Sequence, residues 1–244
     1  VAQLSISGRN RPMSVLVTGA AGGIGSAVAT VFEAAGYRVF RHDARPDVNM
    51  TIVGNLLDAT TLTAVTNLVS EEGISMIVAA HGIAGPGALD TISTEFLERI
   101  IDINTRSVIA LYGETAPYLS GRGGSFIVVS SQAGLVGEAG NAVYSASKFA
   151  LVGWARSISR SAGSPRIRVV CPGMTETPLL VKAFEGNAAD LGITYEEVLA
   201  DRMKKVPGGR LGRPSEIGRT ALWLSELLTS ACVVAPVTGG EVLR

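Results

Sequence analysis

Short apolar runs rich in β-branched residues alternate along this chain with longer amphipathic stretches. The runs are SVLVT (Ser14 to Thr18), YRVF (Tyr37 to Phe40, ending near Asp43), MTIVG (Met50 to Gly54), MIVAA (Met76 to Ala80), SFIVVS (Ser125 to Ser130), RIRVVC (Arg166 to Cys171) and an apolar stretch around Cys232 to Val237. Each has the length and composition of a strand. Between them lie helix-like segments: Ala27 to Gly36, about Asp58 to Glu72, Ser93 to about Tyr118, a segment from Asn141 onward, and about Pro214 to Leu228. Repeated βα units of this length predict an α/β fold, a doubly wound sheet of about seven parallel strands with helices on both faces. A TIM barrel fits less well, because the count closes at seven strands.

Two helical stretches depart from simple amphipathicity. Ser93 to Tyr118 is apolar over more than one face, which suggests a subunit contact, and it carries Asn104 in an apolar neighbourhood. A buried asparagine must be satisfied and can locally loosen a helix. The segment 178–207 has helical patches interrupted by Gly186, Gly192 and several charges. It reads as a substrate lid within a single domain spanning 1–244. Its apolar residues (Leu179, Leu180, Phe184, Tyr195) and charged ones (Lys182, Glu185, Asp190) leave open which face turns inward. Aliphatic character at Leu179 and Val181, with Leu135 and Val136 opposite, slightly favours an apolar cyclic or medium-sized alcohol, with steroid, sugar, terpene and hydroxy-acid substrates left open.

Composition narrows the picture. The chain has 244 residues, 47% of them apolar, so it can bury a sizeable core. Its 21 basic and 21 acidic residues cancel, which argues against nucleic acid as a partner. No segment has the length of a membrane span, and the polar lead-in through Pro12 lacks the core of a secretory signal. Cys171 and Cys232 lie far apart in apolar runs, the pattern of two reduced core residues in a cytoplasmic protein. No second histidine or cysteine stands at ligand spacing from His81, so no metal is expected and His81 reads as a hydrogen-bonded loop residue.

The candidate chemistry sits at strand ends. GAAGGIG (Gly19 to Gly25) follows the first strand and opens a helix, an order that lets a phosphate approach bare backbone at a helix amino terminus. Its G-x-x-x-G-x-G spacing is not the generic dinucleotide fingerprint, and a tight turn without ligand has the same look. Asp43, after the second strand, could accept hydrogen bonds from an adenosine ribose and repel a 2′-phosphate, favouring NAD. Arg38, Arg41, His42 and Arg45 surround it and keep NADP open. Asn55, His81 and Gly82, at the ends of the third and fourth strands, are placed to line a cofactor crevice, and Leu56 beside Asn55 joins the cofactor-binding candidates. Tyr144 and Lys148, four apart on a helix, would share one face. There a lysine would stabilise phenolate over phenol, although such a pair alone is ordinary helix surface.

Taken together, the motifs resemble the classical short-chain dehydrogenases/reductases over Ser14 to Val242. They are TGAAGGIG (Thr18 to Gly25), the Asn104 helix, Ser131 followed by YSASK from Tyr144, PGMTET (Pro172 to Thr177), GRLGRPSEIG, and TGG at Thr238 to Gly240. The resemblance implies a Rossmann-like fold. It implies Tyr144 as general acid/base, Lys148 lowering its pKa and contacting the nicotinamide ribose, Ser131 polarising the substrate oxygen, and a water at Asn104 linking the lysine to a proton relay. It further implies a pyrophosphate turn at Gly19, Gly23, Ile24 and Gly25, with Pro172, Gly173, Thr175 and Thr177 near the nicotinamide. The implied activity is NAD-dependent interconversion of a secondary alcohol and a ketone, in a homotetramer or homodimer. NADPH-dependent reduction of a 3-oxoacyl thioester is the alternative, and a non-catalytic dinucleotide-binding regulator a third reading. Two departures stand out: AAHG (Ala79 to Gly82) replaces the usual NNAG, and Thr238 replaces an aspartate. Both read as altered packing around an intact active site.

Overall fold

A computed structural model describes residues 13–47, 49–84, 92–138, 140–229 and 231–242. The lead-in through Pro12 and part of the loop after the fourth strand lie outside them. The elements run β1 (Ser14–Thr18), α1 (Gly23–Ala34), β2 (Arg38–Asp43), β3 (Ile52–Val53), α2 (Ala59–Glu71), β4 (Met76–Ala79), α3 (Thr94–Ile101), α4 (Ser107–Gly121), β5 (Ser125–Val129), α5 (Ala142–Ile158), β6 (Arg166–Pro172), α6 (Pro178–Leu191), α7 (Tyr195–Met203), α8 (Pro214–Glu226) and β7 (Val233–Val237). The seven strands form one sheet in the order β3-β2-β1-β4-β5-β6-β7, and every pairing is parallel. The expected α/β doubly wound, Rossmann-like architecture is therefore present.

Side-chain alternation on the strands builds two cores. Leu16, Ile77, Phe126 and Val128 face α2, α4 and α5, where they pack with Val65, Val69, Leu111 and Leu151. Their neighbours Val15, Val17, Val78 and Ile127 face the other way, onto Val28 and Phe32 of α1 and Ile217, Ala221 and Leu224 of α8. Strands buried on both faces must read as continuous apolar runs, and these do. The sheet reverses its winding between β1 and β4, so a crevice opens beyond their carboxyl ends.

Several boundaries differ from expectation for local reasons. α1 starts at Gly23, inside the glycine turn. β2 does end at Asp43 as expected, and pairing with β1 and β3 holds the polar His42 and Asp43 in the ladder. β3 shrinks to two residues because it is an edge strand with β2 as its one neighbour. The helix expected from Ser93 is instead α3, a π-helical turn at Asp102–Arg106 and α4. The turn widens where Asn104, fully buried, bonds away from the helix, as π-bulges do.

Candidate active site

The glycine turn is built by close packing. A Cβ at Gly25 would lie 2.1 Å from the Gly19 carbonyl oxygen, and one at Gly19 (φ +69°) would lie 2.6 Å from the His81 backbone. Only glycine fits such contacts. The residue before α1, Gly22, brings no side-chain cap, so the first-turn N–H groups are left for an anion. This cradle suits the pyrophosphate of a dinucleotide.

Asp43 stands beside it, its carboxylate accepting from the N–H of Ala21 at 3.0 Å and of Arg45 at 2.9 Å. Its pKa is lowered: burial opposes the charge, but these N–H donors and the Arg45 guanidinium outweigh it. Of the four basic residues around it, Arg41 pairs with Glu33 and Arg38 with Glu72, while His42 is buried and bonds to the Gly54 carbonyl. Arg45 alone among them reaches the glycine turn, where a Cβ on Gly22 would meet its Nη2 at 3.8 Å. Asn55 lies exposed past β3 and accepts from the Leu57 N–H. Next to it the Leu56 side chain is buried in the core cluster that includes Val65, which leaves its backbone as the part that could border a cofactor.

Ser131, Tyr144 and Lys148 meet beyond β5. Ser131 lies two residues past β5 and accepts from the Ala133 N–H, starting a short turn. Tyr144 and Lys148 rise from the first turns of α5, with the ammonium 5.7 Å from the ring centroid. Burial pushes the Tyr144 phenol up to about 12, against the Ser131 hydroxyl, which favours the phenolate. Burial likewise pulls Lys148 down to about 8. In the folded chain, then, desolvation is the largest influence on the phenol and the Ser131 hydroxyl opposes it.

Asn104 clamps the loop after β4. Its amide donates to the Ile83 carbonyl at 2.9 Å and to Ser147 Oγ at 3.1 Å, and its Oδ1 accepts from the Ile83 N–H at 2.8 Å. Gly82 is wedged against this amide and the lysine: a Cβ there would lie 3.1 Å from Asn104 Oδ1 and 3.2 Å from Lys148 Nζ. His81 is the expected loop residue, enclosed between Thr18 Oγ1 (2.6 Å) and Ser107 Oγ (2.8 Å). Thr238 closes the carboxyl-terminal turn by exchanging hydrogen bonds with Val242.

The cleft continues along Pro172, Gly173, Thr175 and Thr177 to α6. Thr177 caps α6 through the Leu180 N–H, and Pro178 occupies the first helical position. Segment 178–207 folds more fully than its glycines suggest, since Gly192 ends α6 in the left-handed conformation and a Thr194–Glu197 capping box starts α7. Leu179, Leu180, Ala183, Phe184 and Asn187 of α6 line the cleft, with Arg202 from α7. Val181, Lys182 and Glu185 face elsewhere. The apolar wall expected opposite, from Leu135 and Val136, is not there. Gln132, Glu138, Asn141 and Glu241 line the cleft instead, a grouping without a local signal, because Glu241 is far from the others along the chain. Among the described residues, no group of three His, Cys, Asp or Glu is arranged to hold a metal ion, and no helix is long and apolar enough to cross a membrane.

Comparison with known proteins agrees with this geometry. The family described as short chain dehydrogenase matches residues 13–188. The 2,3-dihydro-2,3-dihydroxybenzoate dehydrogenase of Escherichia coli is 31% identical, over 98% of this chain and 99% of that protein. A 3-oxoacyl-acyl-carrier-protein reductase of Thermotoga maritima is 27% identical, over 93% and 97%. Among solved structures, the ligand-free aldohexose dehydrogenase of Thermoplasma acidophilum superposes with a TM-score of 0.84 at 27% identity, over 96% of this chain and 95% of that one. With the glycine cradle, the serine, tyrosine and lysine beyond β5 and the doubly wound sheet in one chain, this protein belongs to the short-chain dehydrogenase/reductase family of oxidoreductases.

Proposed function

We propose that the protein is an NAD-dependent oxidoreductase interconverting a secondary alcohol and a ketone, with Tyr144 as general acid/base. The observation that carries this reading is the cleft in which Ser131 and Tyr144 stand together while Lys148 supports the phenol from behind. A bound nicotinamide would supply the hydride acceptor or donor. The chain's own residues do the rest. In oxidation Tyr144 as phenolate takes the hydroxyl proton; in reduction the phenol gives it back. Ser131 donates to the substrate oxygen as negative charge gathers there. Lys148 keeps a positive charge beside the ring, and Asn104 holds the loop of Gly82 and Ile83 in place as a positioning residue.

Asp43 supports NAD over NADP, because a carboxylate beside the glycine turn would meet a 2′-phosphate with like charge. Arg45 is the residue that would favour NADP. Pro172, Gly173, Thr175 and Thr177 would border the nicotinamide, with Ile24 at the start of α1. The helices α6 and α7 would serve as the lid: they carry a small core of their own around Phe184, Ala188 and Val198 and line one side of the cleft. Assembly into a homodimer or homotetramer through α4 and α5 is supported by the exposed Ile109, Tyr118 and Phe149.

The test is a titration of the purified protein with NADH and with NADPH, followed by turnover of a mixed panel of ketones and secondary alcohols. Tighter NADH binding with turnover is the expected result. Binding without turnover of any panel member would overturn the enzyme reading. A strong NADPH preference with turnover of a 3-oxoacyl thioester would favour the alternative that the Thermotoga relative's name suggests.

A further inference from the structure

The wall of the cleft away from the lid is polar and acidic. Gln132 follows Ser131 directly, is 4% exposed, and spends both amide protons on carboxylates: Glu138 Oε1 at 2.9 Å and Glu241 Oε2 at 3.0 Å. Its own Oε1 is buried with no hydrogen-bond partner. Asn141 approaches Glu138 from the other side at 3.4 Å. Among the described residues neither carboxylate has an ion-pair partner, and both border the cleft that holds Ser131 and Tyr144.

Such a wall selects strongly. Two carboxylates held on one amide nitrogen are acceptors only, so a bound molecule that displaces water from them must bring donors to their remaining lone pairs or leave those without a partner. An unadorned hydrocarbon or acyl chain brings none. A cation would satisfy them, but it would also face the Arg202 guanidinium on the opposite wall. Hydroxyl groups suit all the polar residues of the cleft, while the carbon skeleton that bears them can lie against Leu179, Leu180 and Phe184. They donate to Glu138 and Glu241, and they accept from Arg202 and from the amide of Asn187 on α6. Because Gln132 adjoins Ser131 in the chain, the donors belong on carbons close to the reacting one.

We infer that the substrate is a neutral polyhydroxylated molecule, a sugar or cyclic polyol bearing hydroxyls next to the carbinol carbon, and that Gln132, Glu138 and Glu241 are its specificity-determining residues. The inference rests on the alcohol–ketone reading above and names the substrate class of that same cleft. A site built to bond hydroxyls rejects analogues that lack them far more strongly than an apolar pocket rejects a missing methylene.

The experiment compares NAD(P)-linked oxidation of polyols and aldoses with that of matched mono-alcohols, sorbitol against 2-hexanol and myo-inositol against cyclohexanol among them, in the parent and in the Glu138→Gln and Glu241→Gln variants. Each variant keeps the shape of the wall but removes a charge. The quantity read is the ratio of kcat/KM for polyol over mono-alcohol, because Glu138 also acts on the Tyr144 phenol and would alter both rates together. The expected ratio in the parent is about tenfold or more in favour of a polyhydroxylated substrate, falling by about tenfold in each variant. Turnover of mono-alcohols at least as fast as polyols, or variants that leave the ratio in place, would overturn the substrate assignment while the oxidoreductase reading stands. Turnover of nothing in the panel, with the dinucleotide still bound, would bring down both.

Discussion

The Thr18 hydroxyl and the His81 imidazole are joined at 2.6 Å, tying the end of β1 to the loop that leaves β4. The other ring nitrogen reaches Ser107 at 2.8 Å, and Ser107 donates to the Ile103 carbonyl at 2.7 Å. These bonds fix the tautomer. Ser107 spends its proton on Ile103, so it accepts from Nε2–H, and Nδ1 is left to accept from Thr18. Burial, with His42 and Lys148 adding to it, holds His81 down at about 3, so the ring stays neutral through the working range.

His81 therefore acts as a neutral strut between the sheet and the π-helical turn that carries Asn104. Nitrogen NMR is expected to show the Nε2–H tautomer with no titration between about pH 5 and 9. Replacement by alanine leaves Thr18 and Ser107 without their partner and should cost about 2–3 kcal/mol of stability by denaturant unfolding. A ring that titrates near its ordinary value would refute the strut.

Tyr144 sets the pH dependence. A phenol pushed up to about 12 is almost wholly protonated near neutrality, which suits ketone reduction and starves alcohol oxidation of phenolate. The oxidation rate is thus expected to climb with pH across the neutral and mildly alkaline range, while the reduction rate stays flat or falls. In Lys148→Met the climb should move to higher pH, since a positive charge near the ring is lost. Tyr144→Phe should lower kcat by about a hundred- to ten-thousand-fold with dinucleotide binding retained. Oxidation that slows as pH rises from neutrality would contradict the assignment.

Gly25 tests the cradle. With a Cβ there 2.1 Å from the Gly19 oxygen, Gly25→Ala must push the turn outward and distort the anion site. Overpacking of this kind costs about 1–3 kcal/mol, so NADH affinity should weaken by roughly tenfold, read by fluorescence titration. Unchanged affinity would place the pyrophosphate elsewhere.

Arg168 is the least expected residue in the sheet. It is fully buried in β6, and its guanidinium donates to the carbonyls of Ile167, Leu227, Thr229 and Ala231. It closes the carboxyl end of α8 and the turn into β7, where backbone acceptors would otherwise lack donors. Arg168→Met should lower stability by about 3 kcal/mol, seen as a fall in Tm with kcat near the parent value. A Tm equal to the parent's would show that water replaces the guanidinium without loss.

Local chemistry wrote much of this protein into its sequence. Runs such as Ser14–Thr18 and Ser125–Val129 are apolar on both faces because a parallel sheet covered by helices dries both. The glycine turn, the spacing of Tyr144 to Lys148 and the awkward Asn104 were legible because each is a constraint among near neighbours. Tertiary structure decided the rest. It brought Glu241 to Gln132 across 109 positions and placed Leu56 in the core. It turned Leu179, Leu180 and Phe184, rather than Val181, toward the cleft, and it buried the phenol. Desolvation and long-range approach depend on what surrounds a residue in space, and a chain read in one dimension does not contain that information.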